Sequence, residues 1–142
     1  MEAALKRRDP ADPDAELRAV VGELYDVLAR TRLAVDVVER SSADMPDLYR
    51  LVFRQVGGQL AARMDRYIRL RVRKGLLRQP PDTATAARLI LEITSWFARS
   101  RHHNPEAAGI PEPVARETVV HFVVGALARE PAADRATDSE RR

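Results

Sequence analysis

The sequence predicts an all-α fold, a bundle of four main helices. Three observations carry that expectation. Apolar residues recur at helical spacing in four separate stretches, and residue types that start or stop helices lie at their ends. No stretch shows the strict alternation of a half-buried strand. The β-branched pairs Val119-Val120 and Val123-Val124 sit inside a helical period instead.

The first helix is expected from Asp14 to Arg40, where Leu17, Leu24, Leu28, Thr31 and Val35 share one face, flanked by Val20 and Val21. Leu33 and Val37 fall on the opposite side, so its second half should be covered from two directions. The second helix opens at Asp44-Met45-Pro46-Asp47, with Asp44 as cap and Pro46 in the first turn, and ends at Gly75. Its apolar face reads Tyr49, Val52, Phe53, Val56, Leu60, Met64, Tyr67 and Leu70. Gly57-Gly58 interrupt it at a cost of roughly 1 kcal/mol each against alanine, which implies a kink or a close approach by a ligand or a neighbouring helix.

The third helix begins at Asp82-Thr83 after Pro80-Pro81 and runs to about Arg101. Leu89, Ile90, Ile93, Trp96 and Phe97 form its arc, which Ala86, Ala87 and Leu91 extend. The fourth follows Ile110-Pro111-Glu112-Pro113, runs to about Arg129, and carries Val119, Val120, Phe122, Val123, Val124, Ala126 and Leu127. Both arcs exceed the stripe of roughly 100° that a helix on the outside of a small monomer needs. That excess predicts one side for the core and one for a partner, with Leu89, Ile93, Phe97, Val119, Val120, Val123, Val124 and Leu127 as the candidate dimer interface. Outside residues 14–129, the reading is a flexible N-terminal tail over 1–13 and a disordered C-terminal tail over 130–142.

The 142 residues suit one domain with a real core, and 45% hydrophobic against 32% charged residues is an ordinary globular balance. With no cysteine, disulfide scaffolds, thiolate metal sites and cysteine nucleophiles are excluded. The sequence pI of about 9.8 reflects arginine more than a polyanion partner, because the net charge is only +3. No apolar leader follows Met1, and the longest near-apolar run, Val119 to Ala128, is about half of what a bilayer crossing needs. The expected location is cytoplasmic, without a membrane partner.

Chemistry-bearing motifs are scarce. His102-His103 stand where the third helix ends, a favourable place for protonated imidazole, and no further ligand pattern makes them a metal site. No nucleophile elbow, Ser-His-Asp order or phosphate loop is present, so neither an enzyme nor a cofactor is expected. Arg63, Arg66, Arg69 and Arg73 share one helix face, which reads as a solvated stripe with no interleaved aromatic for stacking on bases. Arg71 instead falls within the arc of Phe53, Leu60 and Met64. It needs an anion there, either a carboxylate from another helix, which is preferred, or an acidic ligand.

The succession Asp47-Leu48-Tyr49-Arg50-Leu51-Val52-Phe53, Leu60-Ala61-Ala62-Arg63, Tyr67-Ile68 and Lys74-Gly75-Leu76-Leu77-Arg78 resembles the C-terminal half of TetR-type transcriptional regulators. Pro81-Asp82, Ala86-Ala87-Arg88-Leu89-Ile90-Leu91-Glu92, Trp96-Phe97-Ala98, His102 and Val114-Ala115-Arg116-Glu117-Thr118-Val119-Val120 extend the likeness over residues 14–129. The resemblance implies an effector-binding and dimerisation domain whose last two helices pair with their mates in a homodimer. It implies a small apolar or amphipathic effector among the preceding helices, near Leu33, Val37, Tyr49, Phe53, Gly57, Met64 and Trp96, with Arg71 as a further candidate. The family's helix-turn-helix has no counterpart in the roughly fourteen residues before the first helix, where Lys6-Arg7-Arg8 can touch phosphate but read no sequence. DNA binding is therefore expected only through a domain outside this chain. Two other readings stay open: a module that heterodimerises with full-length regulators, and a small helical carrier or enzyme.

Overall fold

Asp12 and Pro13 start the first helix. The Asp12 carboxylate accepts the Ala15 amide hydrogen at 2.9 Å, and proline occupies the first helical position, where its missing N–H costs nothing. The computed structural model describes residues 4–5 and 10–129, and places α1 at Pro13–Arg40. The helix thus begins one residue before the expected boundary. Ala4 and Leu5 lie in the stretch read as a tail, yet Ala4 is buried against the bundle. The remaining tail residues, 1–3, 6–9 and 130–142, lie outside the described ones.

Chain reversal through Ser41–Asp44 leads to α2 (Pro46–Arg50), whose N-cap is Met45 with no side-chain cap, so Asp44 does not take the capping role. The chain then continues as a π-helical turn over Leu51–Val56 and as α3 over Gly57–Arg73. The irregularity expected at Gly57-Gly58 is present, displaced just ahead of the glycines. No atom lies within 4 Å of where a Cβ would stand at either glycine, so no neighbouring helix makes the close approach that their presence suggested. At the far end, Gly75 has φ of 68°, with its amide bonded to the Val72 carbonyl and that of Leu76 to the Arg71 carbonyl. These two bonds make a Schellman cap, and the left-handed conformation is why glycine stands there.

Asp82 caps α4 (Thr83–Ala98) by accepting from the Thr85 amide at 2.7 Å. A 3₁₀ turn, Ser100–His103, ends the element earlier than the periodicity suggested, and α5 spans Glu112–Leu127. The α3–α4 connection is pinned to the end of α5 through an antiparallel bridge between Leu77 and Ala128. No strand forms among the described residues.

The core gathers the N-terminal half of α1 (Leu17, Val20, Val21, Leu24), the second half of α3 (Met64, Tyr67, Ile68) and the inner faces of α4 and α5. Val119, Val120, Val123, Val124 and Leu127 are all buried in this one chain. Helix α5 packs on both α1 and α4, so its valine arc is consumed internally. A side chain sealed in its own core presents nothing to a partner, and the interface expected from these five residues is not where the free surface lies. Of the eight candidates, Leu89 is 60% exposed, while Ile93 and Phe97 are half-buried. The apolar surface left on α4 and α5 is Leu89, Trp96, Val114 and Phe122, the last 70% exposed.

Candidate functional site

Two of the expected pocket residues belong to the core. Met64 packs in the cluster, and Arg71, fully buried, meets the Glu16 carboxylate with Nε at 2.7 Å from Oε2 and Nη2 at 3.0 Å from Oε1. Arg71 Nη2 also donates to the Ala4 carbonyl at 2.7 Å, and the Tyr67 hydroxyl donates to Glu16 Oε2 at 3.2 Å. The anion required by an arginine on an apolar face is therefore a carboxylate from α1. Burial, reinforced by the Glu16 charge, pushes the Tyr67 hydroxyl far above its ordinary range and keeps it a donor.

A second group converges on Arg99, just past α4. The Tyr49 and Phe53 rings stack at 4.5 Å, and the Arg99 guanidinium lies 5.9 Å from the centre of the Phe53 ring. Arg99 and Trp96 together line an open cleft of about 280 Å³ with Glu92, Ile93, Ser95 and Ser100. Arg99 thus borders both the Phe53 ring, on which Tyr49 stacks, and the cleft that Trp96 lines. Gly57 stands apart with open space over it, and Leu33 and Val37 are 66% and 58% exposed, so the second covering expected for this half of α1 is not supplied by the described residues.

Sequence reasoning passed over the polar network behind Arg99. Asp36, nearly buried on α1, accepts from Arg99 at 3.2 Å through Oδ1 and pairs with His103 Nε2 at 2.8 Å through Oδ2, while Glu39 takes Arg99 at 2.6 Å. Burial raises the Asp36 carboxyl, but the His103 and Arg99 hydrogen bonds outweigh it and hold the group below the usual carboxylate range. Asp36, Glu39, Arg40 and His103 line a neighbouring cleft of about 230 Å³. The available signal was an acid inside Leu33-Ala34-Val35-Asp36-Val37-Val38, an apolar run that calls for a cationic partner.

His102 faces other groups than its neighbour does. Its Nε2 lies 3.0 Å from Arg32 Nη1 and 3.5 Å from Glu112. Burial, then the charges of Arg101 and Arg32, lower its pKa, which favours the neutral ring that accepts from Arg32. Arg101 is buried and ties the loop to α5 through the Phe97 and Ile110 carbonyls and the Glu112 carboxylate. Tyr25 beside it is pushed up to about 12 by burial and the Glu112 carboxylate. A third cleft, about 310 Å³, opens between Tyr25, Asp26, Ala29 and Arg30 of α1 and Glu112, Pro113 and Arg116 of α5.

No three metal-type ligands cluster among the described residues. What the Arg99 region offers is an apolar wall beside a guanidinium already neutralised by two carboxylates. Such a surface suits an amphipathic molecule better than a strongly anionic one.

Residues 15–130 match the family described as the C-terminal domain of AefR-like transcriptional repressors, and the chain belongs to that TetR C-terminal family. No curated protein and no solved structure matches the chain. None of the described helices is long and apolar enough to cross a membrane.

Proposed function

We propose that this chain is the effector-binding and dimerisation domain of a TetR-type transcriptional regulator, working in the cytoplasm and reaching DNA through a helix-turn-helix outside these residues. The observation that carries the reading is the family match, which spans the whole described bundle from α1 through α5. The effector is a small apolar or amphipathic molecule, received by the Tyr49, Phe53, Trp96 and Arg99 surface. The homodimer forms through apolar side chains left exposed on α4 and α5 outside that surface, namely Leu89, Val114 and Phe122. Regulation requires that the effector bind one state of the complete regulator better than the other.

Sedimentation equilibrium and a titration together test this. The chain should sediment at twice its 15.9 kDa at micromolar concentration. Trp96, the single tryptophan, should change its emission when an apolar fluorophore such as anilinonaphthalene sulfonate binds, and Phe53→Ala should weaken that binding. A stable monomer would overturn the dimer. Unchanged fluorophore binding in both Phe53→Ala and Trp96→Ala would overturn the assigned effector surface.

A further inference from the structure

The outward face of α3 carries Arg63, Arg66, Arg69 and Arg73, all exposed. Arg69 is neutralised by Asp65 and stands near Asp82, whose carboxyl is lowered first by hydrogen bonds from Thr85 and least by the Arg69 charge. Arg63, Arg66 and Arg73 have no carboxylate within ion-pair distance among the described residues. Ten residues of helix at about 1.5 Å each put roughly 15 Å between the first and last of them, a span of about four phosphates along one strand of a duplex. An exposed row of unpaired arginines gains little for the fold, since such groups are fully solvated and add self-repulsion.

We infer that this arginine row contacts the phosphate backbone of duplex DNA, without reading sequence. Three features select that partner. Within the row this side of the helix also holds half-buried Leu70, and exposed Gln59 and Ala62 adjoin it, so no aromatic is present to stack on unpaired bases and no exposed large apolar group to enter a lipid surface. Guanidinium groups match phosphate oxygens in planar, bidentate geometry. The row also runs toward the right end of the domain. Arg71, two residues before Arg73, is bonded to Glu16 in the first turn of α1 and to the Ala4 carbonyl. In a family defined as the C-terminal domain of repressors, that N-terminal end is the side on which the DNA-reading part attaches. The inference rests on the proposed function for this last step only, and its test does not.

Fluorescence anisotropy of the 142-residue chain with a labelled mixed-sequence 30-bp duplex, over 25 to 200 mM salt, decides the matter. Three phosphate contacts predict a slope of log K against log salt of about −2.7, which is about a 40-fold loss between 50 and 200 mM. The Arg63→Gln/Arg66→Gln/Arg73→Gln variant should flatten that slope toward zero, with unchanged far-UV circular dichroism. The corresponding triple lysine variant, retaining the charges, should restore most of it. Undiminished binding by the glutamine variant would overturn the proposal, as would absence of binding at 25 mM salt. Equal affinity for vesicles containing one third anionic phospholipid would replace DNA by a membrane surface. A sedimenting dimer that binds no DNA refutes this inference alone, and a monomer whose DNA binding depends on the arginines refutes only the proposed dimer.

Discussion

Replacing Glu16 by alanine removes the carboxylate that holds Arg71 through two hydrogen bonds in the interior. The two bonds at 2.7 and 3.0 Å are lost together with the acceptor of the Tyr67 hydroxyl. Side-chain exposures of 1% for Arg71 and 4% for Glu16 mean that water cannot take over without opening the α1–α3 seam. Breaking one side of a buried pair costs about 3–5 kcal/mol. For a chain of this size each kilocalorie moves the midpoint by about 3–5 °C, so Glu16→Ala should melt roughly 10–20 °C lower. The assay is a set of urea and thermal unfolding curves at one fixed protein concentration, comparing the parent, Glu16→Ala, Arg71→Met and the Glu16→Leu/Arg71→Met double variant. The double variant should recover most of the loss, because a well-packed apolar pair avoids the desolvation that the charges undergo. Single variants within about 1 kcal/mol of the parent would refute the claim that this pair is buried and mutually dependent.

Gly75→Ala should cost about 1 kcal/mol in urea unfolding, since φ of 68° in the Schellman cap strains any residue with a Cβ. Phe122→Glu should dissociate the dimer in sedimentation while keeping its helical dichroism, whereas Val123→Glu, aimed into the core, should unfold the chain. Acid should act in two windows. His102 has its folded pKa below the ordinary imidazole value, so the unfolded chain binds the extra proton first and stability falls as pH drops from about 6.5 toward the folded value. Asp36 has its folded pKa below the ordinary carboxylate value, so its contribution is present above about pH 4 and is lost as pH falls through the folded pKa. His102→Gln should remove the first step and Asp36→Asn the second, in midpoints measured from pH 8 to 3. Amide hydrogen exchange should be faster over Leu51–Val56 than over Met64–Arg71, where the backbone is enclosed by core side chains.

All four helices were legible because each holds its apolar residues at a constant helical period, and Gly75 and Asp82 marked their boundaries. The same assumption of constant period concealed the π turn. An i→i+5 turn rotates everything before it, so Tyr49, which a regular helix would align with Leu60 and Met64, comes out exposed. The arc width of α5 was read correctly, but width alone does not say which neighbour uses it. Here α1 and α4 both pack on α5, and the valines turned out to be core. The demand of Arg71 for an anion was visible in the helix wheel. The acceptor that meets it, Glu16, was not, because an acid in the first turn of a helix already has a sufficient reason to be there. The Asp36 network joins residues 63 and 67 positions apart, a distance that local pattern cannot bridge.

The two ends of the bundle are built differently. At the end where α1 starts, α1 and α3 are joined by the buried Glu16–Arg71 pair and the Tyr67–Glu16 hydrogen bond beside core residues Leu17 and Val21, and the Leu77–Ala128 bridge ties the loop down. At the other, α1 exposes Leu33 and Val37, and α2 and the π turn bury no residue fully. This second end is held by polar contacts that Asp36, Glu39 and Arg32 make with the segment around the 3₁₀ turn. Helix α1 belongs to both ends as one uninterrupted rod of 28 residues, about 42 Å long. Any molecule that settles on the Tyr49, Phe53 and Arg99 surface adds contacts where few exist, and it competes for a guanidinium that now bonds α1. A shift of α1 is then felt at Glu16, the end at which a DNA-reading part would join. On the proposed reading, that placement of a loosely packed surface and a rigid end on the same helix would let a bound molecule influence DNA contacts without touching them.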